Sequence, residues 1–421
     1  MTSTDSAATE ISPRSRTQRR VLTVLVTAQV LSGVGLAAGI TVGALLAQDM
    51  LGSTGLAGLP SALFTAGSAV AAVAVGRISQ ARGRRPGLAA GYLAGAVGGG
   101  GVIAAAVVDN PALLFLALFV YGAGSATNLQ ARYAGADLAA PAHRGRAVST
   151  VLVATTLGGV AGPNLTSLTG DLAHTLGIPR LTGPFLLATV AYLAAALVLA
   201  IWLRPDPLLL ARTLEAEQAI GGGITSGNEV APARGRSAGV VLGALIMVLT
   251  QLVMVAIMTM TPVHMQDHGH TTTASGLVIA VHVAAMFLPS PVTGRLADRY
   301  GRIKVAIASG ITLLVAGILA ATAPADSVAL LAVALALLGL GWNLGLVAGT
   351  AIITDSVPLA TRAKTQGMAD VSIAIAGATG GLASGLVVAV AGYPVLALTC
   401  GILALAVLPV IAATAATASR R

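Results

Sequence analysis

Runs of about twenty apolar residues follow one another along this chain, broken only by short polar segments, and a helix of that length spans the hydrocarbon of a bilayer. The runs leave only 9% of the 421 residues charged and make 56% hydrophobic, against roughly 25% and 45–50% in soluble domains. Such a chain cannot hydrate the surface of a globule its size, so a soluble enzyme is excluded and a membrane protein is expected. The net charge of +9 raises nucleic acid as a partner, but the basic residues form no single face; they sit in clusters between the apolar runs. One cysteine, Cys400, excludes a disulfide framework and a cysteine-based zinc site.

Cutting the runs at charges, Pro, Asn and Asp predicts an all-α protein of twelve spans. They lie near 21–47, 57–76, 87–108, 112–136, 147–170, 183–203, 238–261, 273–293, 305–323, 327–352, 365–391 and 394–416. The first is too long for the apolar core of a signal peptide and reads as an uncleaved helix. Of 24 Lys and Arg, all but Arg132, within span 4, and Arg180 fall on the side of the N-terminus. By the positive-inside rule that side is cytoplasmic, and an even number of spans puts both termini there. The expected organisation is a tail over 1–20, a six-helix bundle over 21–203, a cytoplasmic linker over 204–237, a second bundle over 238–416 and a tail over 417–421. Gly221-Gly222-Gly223 and Ser226-Gly227 mark the linker as flexible.

The two halves repeat at one offset. Gly76-Arg77-Ile78-Ser79-Gln80-Ala81-Arg82-Gly83-Arg84 aligns with Gly294-Arg295-Leu296-Ala297-Asp298-Arg299-Tyr300-Gly301-Arg302, 218 residues on. Asp137 aligns with Asp355 and Arg144 with Arg362 by the same shift. Six spans per repeat keep both copies in one orientation, which predicts two parallel bundles about a pseudo-two-fold axis along the membrane normal.

On these residues the chain resembles the major facilitator superfamily over nearly its whole length. Gly294 to Arg302 fits the family's loop pattern after helices 2 and 8 closely. Gly76 to Arg85 departs from it, with Gln80 in place of Asp and Ala81 in place of a basic residue. The resemblance implies an alternating-access transporter with its substrate cavity between the halves. It also implies a conformational latch in which Asp298 faces the start of span 5 while Arg295, Arg299 or Arg302 bonds Asp355, with Asp137 doing the same for the first half. Because Gln80 lacks the charge, the latch of spans 2 and 11 is expected to be the weaker. Gly158-Gly159-Val160-Ala161-Gly162-Pro163 in span 5 resembles the Gly-x-x-x-Gly-Pro core found in antiporters of the family, though Thr166-Ser167 replaces the Gly-Gly pair that follows. A small-residue packing face is the alternative reading of Gly158, Gly162 and Pro163.

Ionisable groups inside spans mark function by default. His282, near the middle of span 8, reads as a reversible proton site or as a neutral imidazole bonded to backbone. Asp370, in span 11, reads as a proton carrier or as a structural partner for the Gln80 latch. Arg132 is expected to snorkel to the interface. Helices 1, 4, 7 and 10 line the cavity by resemblance, which selects Gln29, Asn128, Gln251 and Asn343, with Trp342 as the largest ring and Met254 and Met258 as a deformable wall. The segment 261–270, read as a loop, holds His264, Asp267, His268 and His270, a density that raises metal export as a minor reading; no resident metal or cofactor is expected. The leading expectation is a monomeric carrier in a bacterial cytoplasmic membrane that exports amphipathic small molecules against a proton gradient. Its rivals are an uptake symporter for a nutrient or organic ion and a receptor without turnover. No nucleophile–base pair lies in a span, so enzymatic activity has no support.

Overall fold

The computed structural model describes residues 13–37, 42–51, 59–221, 233–324, 326–409 and 411. Among the described residues are sixteen α-helices, fifteen of which make up the twelve spans. Span 1 comprises α1 (Pro13–Ala37) and α2 (Gly43–Leu51), followed by α3 (Leu59–Arg82), α4 (Arg84–Val107) and α5 (Pro111–Ala136). Span 5 is divided into α6 (Arg144–Asn164) and α7 (Thr166–Thr175), and α8 (Gly183–Trp202) closes the first half. The second half holds α10 (Ala233–Asp267), then α11 (Thr272–Phe287) and α12 (Ser290–Tyr300) as span 8. It ends with α13 (Arg302–Thr322), α14 (Val328–Ser356), α15 (Arg362–Ala391) and α16 (Tyr393–Ala404). Nine stretches of the described residues are long and apolar enough to cross a bilayer without a break. Spans 1 and 5 are not among the nine, and span 12 falls short because its apolar helix is shorter.

Two apolar cores form, one centred on α3, α4, α5 and α8 and reaching Ala363 of the second half, the other centred on α10, α13 and α14 and reaching Val148 and Leu152 of the first. Glycine sets the helix spacing. A methyl group on Gly67 would strike the Phe119 carbonyl, and one on Gly122 the Phe64 carbonyl, so α3 and α5 touch backbone to backbone. Helix starts carry the caps their sequences announce: Asn110 accepts from Leu113 N at 3.0 Å ahead of Pro111, and Ser327 accepts from Leu330 N at 3.3 Å.

Three expectations need correction. The stretch 204–237 is not a flexible linker throughout, because it holds α9 (Pro207–Gly221), docked through the buried Leu208. Gly222-Gly223 and Ser226-Gly227 lie outside the described residues, as do the tails over 1–12 and 412–421. The histidine-rich segment is the end of a helix rather than a loop, since α10 continues through Pro262 to Asp267. Finally, the latch sequences are the last turns of α3 and α12, and the reversal after each is a single glycine, Gly83 (φ 99°) and Gly301 (φ 95°), again 218 apart.

Candidate functional site

The arginine-rich face is closed by two clusters that the repeat relates. Asp137 accepts from Arg84 Nε at 2.8 Å and lies 3.9 Å from Arg362 of the other half. Asp355 accepts from Arg144 of the other half at 2.5 Å and forms an ion pair with Arg302, whose Nε lies 3.2 Å away. Each aspartate therefore sits between an arginine of its own bundle and one of the opposite bundle. Beside them Asp298 caps α6, accepting from Gly145 N at 2.9 Å and Arg146 N at 3.0 Å, and Gln80 caps α15 through Ala363 N at 2.8 Å. Of the arginines the resemblance offered for Asp355, Arg302 forms the ion pair, while Arg295, Arg299 and likewise Arg77 are exposed. Gly76 and Gly294 serve close approach: a methyl on Gly76 would lie 2.9 Å from the Ala363 carbonyl, and one on Gly294 would lie 2.6 Å from that of Gly145.

Gln80 does more than a neutral substitute was expected to do. Its Nε2 donates to the carbonyls of Ala360 at 2.6 Å and Leu359 at 3.3 Å, contacts that a carboxylate cannot make. Arg212 of α9 reaches the same place, donating to the carbonyls of Gln80 at 3.0 Å and Leu359 at 3.2 Å, one in each half. Gln80 and Arg212 together tie spans 2 and 11 at the point where charge is missing.

Deeper in the seam, Arg132 does not snorkel. It is fully buried and pairs with Asp370 of the opposite half at 2.7 Å, while its Nε donates to Thr350 at 2.9 Å. Thr350 is the residue 218 positions after Arg132, so the contact lies on the pseudo-symmetry axis. Tyr133 also donates to Asp370 Oδ1, at 3.2 Å. From Asp370 a chain of polar groups runs to the latch: Gln366, one turn earlier on α15, accepts from Arg84 and donates to Thr354 at 3.1 Å. From Gly341 to Thr354 every residue of α14 is buried, which seals the halves together toward the basic face. Gln366 and the buried state of Arg132 were not foreseen; the signal available was spacing, since Arg362, Gln366 and Asp370 recur every four residues.

The expected cavity residues fall into separate groups. Gln29 and Asn128 meet inside the first half, where Gln29 donates to Thr155 at 3.1 Å and to the Asn128 carbonyl at 3.0 Å and accepts from Tyr92 at 2.6 Å. Asn128 donates to Ser32 at 2.8 Å. Gln251 and Trp342 meet in the second half, the indole donating to Gln251 Oε1 at 2.7 Å, with Phe287 packed edge-on to Trp342. Met258 lies half-buried nearby on α10, and Met254 is buried. Asn343 is the correction: it turns away from the other half to bond Ser290 at 2.6 Å and the Met286 carbonyl at 2.7 Å, fully buried in its own bundle.

His282 is also inside its bundle, its Nδ1 bonded to the Leu335 carbonyl at 2.8 Å, in the manner of the structural reading. At the opposite face His264 stacks on Tyr393 with ring centroids 4.4 Å apart and lies 4.4 Å from the His268 ring. Among the described residues no three His, Cys, Asp or Glu side chains converge as metal ligands. Gly158 is buried in α6, and the surroundings of Gly162 and Pro163 are not among those described.

Comparison with known proteins adds the relatives. The family model of the Major Facilitator Superfamily matches residues 25–287 and 242–420. The MFS-type transporters YdeG and YddS of Bacillus subtilis are 56% and 52% identical over 93% and 95% of the chain, and over 91% and 92% of their own lengths. The riboflavin transporter RfnT of Brucella anthropi is 33% identical over 84% of this chain and 85% of its own. Among solved structures, the human organic anion transporter MFSD10 superposes with a TM-score of 0.73 at 17% identity, covering 93% of this chain and 99% of that one. The proton:xylose symporter XylE gives 0.73 at 16%, covering 94% and 95%.

Proposed function

The chain belongs to the major facilitator superfamily and is a multi-pass membrane transporter of that type, and from this premise we propose that it exports amphipathic small molecules by alternating access, driven by protons. The observation that carries this reading is the pair of Arg–Asp–Arg clusters and helix caps joining two bundles at the basic face. All of these groups are charged or polar and hydrate well once parted, so the face can open without exposing an apolar seam at its rim. Helices approach closely there at Gly76 and Gly294, and in this reading closure at this face alternates with closure at the other. In this reading the arginine-rich face and both termini are cytoplasmic, the chain works as a monomer, and the transmembrane proton gradient is the energy source.

Export rather than uptake is favoured by the antiporter-like Gly158 to Pro163 run. The pairing of Trp342 and Phe287 with the half-buried Gln251 and Met258 supports a ligand with a flat apolar body and a polar edge. Riboflavin, which the relative RfnT is named for, has that chemistry and belongs in the test panel. Uptake by symport is the second reading, and a metal ion as cargo is a minor third.

Proteoliposomes with an imposed pH gradient, offered cationic, neutral and anionic compounds together with riboflavin, test the proposal. Substrate-dependent release of luminal protons, with substrate moving against them, is the expected result. Co-movement of protons and solute would replace export by uptake, and no flux for any compound would overturn both.

A further inference from the structure

Helix α15 presents Arg362, Gln366 and Asp370 four residues apart, on one face. All three meet the first half: Arg362 approaches Asp137, Gln366 accepts from Arg84, and Asp370 holds Arg132. The offset of 218 places Arg144, Val148 and Leu152 at the matching positions of α6, and the latter two are buried and apolar. Among the described residues, only the seam formed by α15 therefore carries an ionisable group at depth. Within that group the two oxygens differ: Oδ1 of Asp370 accepts from both Arg132 and Tyr133, whereas the buried Oδ2 makes no hydrogen bond to the protein.

We propose that Asp370 is the proton-binding switch of the basic-face gate, and that protonation of its Oδ2 releases α15 from the first half. In the alternating-access reading the proton comes from water that enters from the face opposite the basic one. It neutralises the carboxylate, and the Arg132 guanidinium is left in the closed seam without its counter-ion. The arrangement favours parting of the seam, since opening hydrates Arg132, and the proton then leaves Oδ2 to water on the basic face. The groups facing Asp370 are Arg132 and Tyr133 of α5 and, further off, Arg84 of α4, while α14 and α10 offer the untitratable Thr350 and Met247 beside Arg132. Because Gln366 and Arg362 ride on the same rigid helix, loss of the deep contact is transmitted to the latch without a separate device.

This inference rests on the alternating-access reading but not on the substrate, and its test needs none. In a Cys400→Ser background, Ala363→Cys places a thiol on the seam where Ala363 is fully buried, and Lys364→Cys supplies an exposed control that corrects for thiol reactivity. Maleimide labelling of the purified protein is followed from pH 8 to pH 5. Control-corrected labelling should rise as pH falls, and Asp370→Asn should label roughly tenfold faster at pH 8 with no pH response. Slow labelling of Asp370→Asn with the pH response retained would overturn the proposal. If that variant does not fold, Asp370→Glu decides: a pH response with a displaced midpoint supports the switch, and an unmoved midpoint overturns it. Failure here leaves the transport assay untouched, and failure of transport leaves the labelling result standing.

Discussion

Replacing Asp137 and Asp355 by Asn in turn makes the same chemical change at two positions that the repeat makes equivalent, yet the expected costs differ. Asp137 and Arg84 have fully buried side chains, and that of Arg362 is 7% exposed. Removing the carboxylate there leaves two guanidinium groups in the seam with no counter-ion, a change that costs about 3–5 kcal/mol. Asp355 is 33% exposed, and its partners Arg144 and Arg302 are 15% and 20% exposed. Water reaches all three, so Asp355→Asn should cost about 1 kcal/mol or less. Thermal unfolding of the purified variants in detergent reads the difference: the drop in Tm for Asp137→Asn should be severalfold that for Asp355→Asn, and raised salt should shrink only the latter. Equal drops, or the reverse order, would refute the argument that burial rather than sequence equivalence sets the strength of each cluster.

Three further outcomes follow from the geometry. Gln80→Asp gains a charge at the start of α15, worth about 0.3–1 kcal/mol, but loses donors to Leu359 and Ala360 worth about 0.5–1.5 kcal/mol each, so seam accessibility should stay near the parent or rise. A fall in maleimide labelling at position 363 would contradict this. Gly76→Val should hold α3 and α15 apart, because the space beside Gly76 is filled by the Ala363 carbonyl and the Gly367 backbone; raised labelling of the same seam thiol with an unchanged Tm is expected. Trp342→Ala, and separately Gln251→Ala, should alter the ranking of transported compounds in the proteoliposome panel while leaving labelling at the basic face unchanged.

Much of this architecture was legible in the residues because the bilayer enforces it. Apolar runs of spanning length, clustered arginines and one constant offset define two parallel bundles, and Asp137, Asp355 and Asp298 lie where the pattern places them. What stayed hidden is rotational. In a helix apolar on all sides, periodicity does not say which face meets the other half. Trp342 and Asn343 are neighbours about 100° apart on α14, so only one could point toward Gln251, and the other entered its own bundle. Arg132 was misjudged for the same reason, since its counter-ion lies 238 residues away on a helix whose register against α5 is set by packing. The docking of α9 depends on contacts by Arg212 to two backbone carbonyls, which leave no mark in a sequence.

The central claim, that two rigid halves open alternately at opposite faces, is tested most directly by paired distance measurements. Spin labels on the exposed Arg77 and Lys364 report the basic face, and labels on the exposed Ala62 and Val390, at the other ends of α3 and α15, report the opposite face, each pair in a Cys400→Ser background. Lowering the pH should lengthen the first distance while shortening the second. Two distances that stay fixed, or that lengthen together, would contradict alternating access in this protein.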